Sequence, residues 1–506
     1  MRRARPFLAL CLCALLALSG CGEPEPLPSQ TDTPEPTPSP TAQPVARFSL
    51  GYDPAASLHP ITGDSQVNQD LAGLVYQGLY ELDNEFVPRP VLAASGTPGA
   101  DGYSWTFTMK TGVVFSDGTP VTAQHAAASL NAARASGPYA ARLASITGVA
   151  AADEAALTVY LSAPNGNLPA LLDVPIVLEQ GEWSAPLGTG YYRYEAAGER
   201  LYLQTNPYHT GGAALPYATI PLTAVTNANE RIAAFDSGDI TAVTTEFSDP
   251  YALGYSSSYE TCDFPTTNLL YVGFKTTGGA CQSSLVRQAF SRAFDRDALV
   301  QVQLSGHGDA ACLPISPVHG DYDGEAAAPL GYDLEQAAAL LAQAGYPDGF
   351  SMTITAPSNY AQHMDTAQVL IEQLKAVGIT AELVPVEWDT WVSDVYRGRD
   401  YQSTVCGIAA DDMTAREMLV RYMSDNRKNF IAFNDAEYDD VLNRAMASTD
   451  DAEQTELYKR AEEILNEKAA SLWIQDACEL VVMDPALDGF TFYRTYVIDM
   501  SAVHYK

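Results

Sequence analysis

The sequence predicts an α/β fold, and three observations carry that expectation. Stretches with the two-residue alternation of strands take turns with stretches of helical periodicity along most of the chain. A length of 506 residues, 47% of them hydrophobic, supplies a large core and leaves room for about three ordinary domains or two large lobes. Beyond residue 20 no apolar run approaches the about 20 residues that a membrane-spanning helix needs.

The chain opens with Arg2, Arg3 and Arg5 ahead of an apolar run from Pro6 to Leu18, the layout of a secretory leader. Leu18-Ser19-Gly20-Cys21 then resembles the lipobox of bacterial lipoproteins. That resemblance implies a signal peptide over residues 1–20, cut before Cys21, whose thiol carries the lipid. Gly22 to Val45 holds eight prolines in 24 residues, with acids and no bases. Such a stretch cannot build a core; extended at about 3.1 Å per residue it reaches roughly 75 Å. Residues 21–45 are therefore expected to be an anchor and spacer holding a domain clear of the membrane. The arrangement suits a cell that lacks a periplasm, so the outer face of a Gram-positive membrane is the expected location.

The globular part begins near Ala46 with the alternating strand ARFSLGY. Leu71, Leu74, Val75 and Leu79 share one helical face, which predicts a helix from about Gln66 to Tyr80. SWTFTMK (Ser104 to Lys110) alternates as a strand, and Asp117-Gly118 supplies a tight turn, since glycine takes positive φ at little cost. Thr122 caps a helix running through Ala126 to Ala133. A helix Asn227–Asp236, a strand Asn268–Phe274 and a single helix Ser284–Gln303 follow. The next helix, Asp333–Ala344, stops at Gly345 and leads to a strand Ser351–Thr355. Another, Ala361–Val377, stops at Gly378 before a strand Thr380–Val386. Helices are expected over Met413–Met423 and near Asp435–Ala447 and Asp451–Ala470, with strand-like ELVVM at Glu479–Met483.

Charge and cysteines narrow the partners. The net charge is −34, and loss of the three leader arginines takes it to −37. Phosphate backbones and anionic lipid headgroups would repel such a chain, so nucleic acid is excluded as a partner and any membrane link is covalent. Cys262, Cys281, Cys312, Cys406 and Cys478 remain beyond Cys21, an odd number that leaves at least one unpaired. No spacing among them suggests a zinc site, and no cofactor or metal is expected. The chain holds no H-E-x-x-H, G-x-S-x-G or S-x-x-K, so catalysis is not expected.

Four segments in order carry a resemblance. They are Ser57-Leu58-His59-Pro60 with LVYQGLYELDNEFVPRPVLAAS (Leu74–Ser95), YSWTFTMKTGVVFSDGTPVTAQHAAASL (Tyr103–Leu130), Pro186-Leu187-Gly188-Thr189-Gly190-Tyr191-Tyr192, and VRQAFSRAFDRDALV (Val286–Val300). Together they resemble the extracellular solute-binding proteins of ABC importers, peptide/nickel-binding class, from Ala46 to the C-terminus. The resemblance implies a two-lobed, periplasmic-binding-protein-like α/β fold of type II that closes about a hinge. Lobe I is then expected from residues 46–280 with 478–506, including an extra subdomain at 81–186, and lobe II from 281–477. The strands Asn268–Phe274 and Glu479–Met483 are the expected hinge.

The same resemblance implies a monomer that captures an oligopeptide or similar solute and hands it to a permease with its ATPase. In peptide binders an aspartate meets the ligand ammonium; Asp411, with Asp412 beside it, matches its position in Cys406-Gly407-Ile408-Ala409-Ala410-Asp411-Asp412. The same pair also suits the N-terminus of the helix that follows. Two departures stand out: Ile408 replaces the usual tryptophan, and Pro357-Ser358-Asn359-Tyr360 lacks the arginine that meets a dipeptide carboxylate. Arg397 or Arg399 then becomes the replacement, and Trp388, Trp391, Tyr271 and Tyr52 are the candidate cleft aromatics. These departures leave open a nickel chelate, haem, an opine or an oligosaccharide as ligand, or a sensing role for the same fold.

Overall fold

The computed structural model describes residues 48–83, 87–180, 185–209, 215–245, 253–264, 268–317, 319–327, 331–409, 414–493 and 497–506. The expected α/β character is present as two groups of sheets, each with its own core. In the first group, Leu50–Tyr52 runs parallel to Thr219–Ala224, which continues antiparallel through Arg200–Thr205 to Tyr192–Ala197. A separate antiparallel meander orders Ala93–Pro98, Ser104–Met109, Ala156–Leu161 and Ile146–Ala151, with helix Ala123–Ala133 packed beside it. A single apolar cluster unites these sheets with Val481, Met483, Leu487 and Val503 from the C-terminal return.

The second group is one six-stranded sheet, in the order Gly308–Ala310, Ser471–Ala477, Asn268–Phe274, Ser403–Ala409, Phe350–Pro357 and Ile379–Val386. Its central strand explains its own sequence. Leu269 and Tyr271 enter the apolar cluster on one face, while Leu270, Val272 and Phe274 enter that on the other. A strand covered on both faces reads as a continuous apolar run rather than an alternation. Helices Ser284–Ala293, Leu334–Gln343 and Ala361–Leu374 supply the second face's cluster; Ala436–Ala447 and Asp451–Glu467 supply the first.

Asn268–Phe274 bonds Ser403–Ala409 on one side and Ser471–Ala477 on the other, as the central strand of the six-stranded sheet. Glu260–Phe264 and Ala242–Thr245 instead flank Glu479–Met483 in a three-stranded sheet.

Two predicted helices are broken, each for a local reason. The run from Gln66 gives two single turns, Gln66–Gln69 and Ala72–Val75, before Tyr76 turns extended and strand Tyr80–Leu82 begins. The Val75 carbonyl accepts from the Gly190 N–H at 2.9 Å, a bond to a distant segment in place of the next helical one. Ser284–Gln303 divides into Ser284–Ala293 and Arg296–Gln303 because Phe294 is extended and Asp295 caps the second helix, accepting from Ala298 N–H. Arg287 and Arg296, in the fourth resemblance segment, are buried and donate to backbone carbonyls, Arg287 to those of Cys281, Gln282, Lys468 and Ala469. Cys262, Cys281, Cys312 and Cys406 are free thiols. Among the described residues no helix is long and apolar enough to cross a membrane.

Candidate functional site

On the first face of the six-stranded sheet lies a cavity of about 270 Å³. Its floor is the antiparallel pair formed by the central strand and Ser403–Ala409, where Tyr271 stands opposite Cys406 and Leu269 opposite Ile408. Gly407 and Ile408 both line it, and Ile408 makes that part of the wall aliphatic. The missing Cβ at Gly407 also leaves room behind the strand: a methyl there would stand 3.2 Å from His363 Nε2. Burial lowers the pKa of that imidazole to about 4, so it is neutral at physiological pH.

One wall comes from the segment after strand Ile379–Val386. Glu387 begins a turn of helix at Trp388–Thr390, which widens into a π-helical stretch over Trp391–Arg397. The Gly398 N–H bonding the Ser393 carbonyl is the i→i−5 pattern of that widening, rare in proteins and concentrated at functional sites. Trp388 and Trp391 stack 5.1 Å apart with their planes 5° from parallel. Trp391 also stacks on Tyr396, and both rings meet Phe430. The Trp391 indole N–H donates to Thr404 Oγ1 at 2.9 Å, which fixes the ring against the sheet. Trp388 remains 40% exposed at the rim.

The opposite wall is the loop after helix Ala415–Leu419. Buried Asn429 organises it, donating to the Met423 and Phe433 carbonyls and accepting from the Phe433 N–H. The Thr276 N–H and hydroxyl both hold the Ile431 carbonyl. Lys428 and Phe430 are thereby presented to the cavity, with Arg421 alongside. Glu417 Oε1 accepts from both Arg421 Nη2, at 2.8 Å, and Lys428 Nζ. Arg397, which is exposed, lines the cavity as well. The lining thus carries three cations, and among the described residues no carboxylate lines it.

The structure places Tyr271, Trp388 and Arg397 in this one cavity, together with Trp391. Tyr271 is buried, and burial first, with Cys406 beside it, pushes its hydroxyl well above the usual range, so it serves as a neutral polar wall. Tyr52 stands elsewhere, on strand Leu50–Tyr52, packed against the first lobe's core. Arg399 bonds the Asn429 carbonyl and holds the loop rather than lining the cavity. Asp411 and Asp412 lie outside the described residues. The helix expected over Met413–Met423 is the shorter Ala415–Leu419, and its N-cap is Thr414, whose hydroxyl accepts from Glu417 N–H. Arg421, Lys428, Tyr396 and Phe430 were not anticipated from sequence. The only trace of them is the spacing of Glu417 and Arg421, which places a charge pair on one helical face.

The model for the bacterial extracellular solute-binding proteins, family 5 (middle region), matches residues 87–430. The glutathione-binding protein GsiB of Shigella flexneri serotype 5b is 27% identical over 453 residues, covering 84% of this chain and 87% of its own. Among solved structures, the unliganded open form of the periplasmic murein tripeptide binding protein MppA superposes with a TM-score of 0.77 at 21% identity, covering 89% of this chain and 95% of its own. NikA from Brucella suis, in complex with Fe(III)-EDTA, gives a TM-score of 0.69 at 19% identity, covering 91% and 100%. At these identities the two structures speak to the fold.

Proposed function

The chain belongs to family 5 of the bacterial extracellular solute-binding proteins, which serve ABC importers, and on that premise we propose that it captures short peptides or peptide-like solutes. The observation that carries the choice is the ring-walled cavity with cations on its edge, built over a strand pair that presents backbone and a glycine. Peptide-sized relatives point the same way: the names of GsiB and MppA specify glutathione and a murein tripeptide. Asp411, followed by Asp412, is the proposed ammonium partner, on the strength of its place after Gly407. Tyr52 is proposed to face the ligand from the first lobe on closure. The family transports rather than catalyses, and no reaction is proposed.

Residues 1–45 are proposed to be a lipoprotein signal, lipidated Cys21 and spacer, so that the monomer works from the outer face of a Gram-positive cell membrane beside its permease and ATPase. Lobe I, residues 46–264 with 479–506, is proposed to close on lobe II about the two connections near residue 266 and Cys478. What supports this is the assignment of Glu260–Phe264 and Glu479–Met483 to one sheet and of Asn268–Phe274 and Ser471–Ala477 to another. A second reading, a metal chelate rich in carboxylates, draws on the likeness to the chelate-bound NikA fold and on the same cations.

The test is a thermal-shift screen of the purified protein with di- to octapeptides, free or N-acetylated, beside metal chelates, with native mass spectrometry of the untreated protein. A ligand present at 100 times its dissociation constant stabilises the native state by about 2.7 kcal/mol. Peptides should do so, and acetylation should weaken them through loss of the ammonium. No shift with any peptide and no retained peptide mass would remove the peptide reading. For the anchor, Cys21→Ser should move the protein from the membrane fraction to the medium; unchanged membrane retention refutes lipidation at Cys21.

A further inference from the structure

Resting on the proposed closure of one lobe on the other, we infer that Asp263 and His307 form a clasp between the two sheets that holds the molecule open, so that a solute closes it against that contact. Three observations lead there. The first is where the pair lies. His307 Nδ1 stands 2.6 Å from Asp263 Oδ1. Asp263 belongs to strand Glu260–Phe264 and pairs with Leu480 in the three-stranded sheet, whose Val481 and Met483 join the first group's core. His307 directly precedes strand Gly308–Ala310, where Gly308 pairs with Ala477 in the six-stranded sheet. Only Cys478 and Glu479 separate Ala477 from Leu480. The contact thus spans the place where one strand ends in one sheet and the next begins in the other.

The second is the turn that presents the imidazole. Ser305, Gly306 and Gly308 all have positive φ, at 54°, 86° and 129°. Ser305 takes that conformation without glycine's freedom, which costs energy. A Cβ on Gly308 would stand 2.7 Å from the Asp476 carbonyl oxygen, so the turn is pressed onto strand Ser471–Ala477. The Leu304 carbonyl accepts from the His307 N–H at 2.9 Å and the Val300 carbonyl from the Gly306 N–H at 3.1 Å, which ties the turn to helix Arg296–Gln303. His307 is therefore carried on a tightly held, strained turn of the second group. Backbone strain of this kind persists only where its surroundings fix it, and it gathers at functional positions.

The third is the state in which the contact is made. Every described residue that lines the cavity falls between Tyr271 and Ile431, and none comes from the first group of sheets. Trp388 at its rim is exposed. The cavity is open on the side that the first lobe is proposed to cover, and the clasp belongs to that open form. Neighbouring strands lie about 4.8 Å apart, and a rotation of about 15° over that lever displaces one partner by about 1.3 Å. A bond already at 2.6 Å can neither shorten by that much nor survive being lengthened by it. Closure therefore gives up the contact, and the clasp lowers the apparent affinity for any solute that only the closed form holds.

Single-molecule energy transfer on the full-length protein reads the claim, with dyes on unnatural amino acids at Arg200 and Glu335, exposed positions of the first and second groups. Glutathione and trialanine are the added solutes. Asp263→Ala and His307→Ala should each raise the ratio of closed to open molecules about two- to fivefold without solute, the range open to an exposed pair. The double variant should go no further than either single one, because both remove the same contact. Lys506→Ala is the control: it breaks the pair with Glu260 on the same strand, within the first group, and should leave the ratio unchanged. An unchanged or lowered ratio in the single variants, effects that add in the double, or an equal effect of Lys506→Ala overturns the clasp. If either solute still shifts the wild-type ratio in that case, the closure reading stands without it. A single population that neither solute nor any variant moves overturns both.

Discussion

Gly188 and Gly190 show how much a single missing side chain decides. Neither residue has a positive φ; what they provide is closeness. A Cβ on Gly188 would meet the Val75 carbonyl oxygen and Tyr76 Cδ1, the latter at 2.6 Å, and one on Gly190 would stand 2.6 Å from the Val75 carbonyl carbon. Backbone cannot swing aside as a flexible side chain can, so a methyl here forces two segments apart. Gly118 is a different case, with φ at +92° in the turn where its N–H reaches the Phe115 carbonyl. Gly118→Ala should cost about 1 kcal/mol, the usual penalty for a side chain at positive φ. Gly188→Ala should cost about 3 kcal/mol, the upper end of overpacking, because it also strains the Gly190 to Val75 bond. Urea denaturation of both variants checks the order; a Gly188→Ala loss no larger than that of Gly118→Ala would refute the close-approach account. The Gly-Thr-Gly segment is plain in the sequence, but that Val75 lies against it is not.

At the scale of elements, caps were legible and breaks were not. Asp333, Asp435 and Asp450 each accept from a first-turn N–H, and Gly345 and Gly378 stop their helices at φ of +93° and +82°. These are local rules written in neighbouring residues. The break at Phe294 instead falls inside a run with no glycine or proline to mark a stop, although Asp295 caps the helix that follows. Helix Asp451–Glu467 adds a charge that burial makes conditional. Glu462 is fully buried, and desolvation first, then Asp323 and Asp321 nearby, pushes its carboxyl well above the ordinary range. Its Oε2 accepts from the Asp323 N–H at 2.8 Å. The native state therefore favours the protonated acid, and wild-type stability from this group is full below the unfolded value near 4.5. It declines as pH rises toward the native value and stays low above it. Glu462→Gln keeps the acceptor and removes the charge. It should raise stability at pH 7 by about 1–3 kcal/mol and change little at pH 4.5. Denaturant midpoints across that range decide; a variant whose pH slope matches the wild type would show that the Glu462 carboxyl titrates alike in the native and unfolded chains.

The whole molecule assembles its cavity from four stretches of chain that the sequence keeps far apart: Tyr271, residues 388–397, Gly407 with Ile408, and residues 421–431. The α/β class followed from periodicity, and the two lobes from ordered segments shared with a family. Arg397 was a candidate from the sequence, but Arg421 and Lys428 were hidden because they look like any surface base until the fold brings their loop to the same cavity. The same strand pairing sets what can move. With Glu260–Phe264 and Glu479–Met483 in one sheet, and Asn268–Phe274 and Ser471–Ala477 in the other, the proposed rotation would leave both sheets intact. A solute shifts such an equilibrium only through its differential affinity, and moving it from 1:99 to 99:1 takes about 10⁴-fold tighter binding to the closed form. Small-angle scattering of the purified protein should then show a smaller radius of gyration at saturating peptide, alongside the thermal shift. Arg397→Gln should need more peptide to reach the same compaction, since it weakens capture without altering the connections. A thermal shift with no change in radius would mean that the solute binds one lobe alone, and the hinge would have no part in capture.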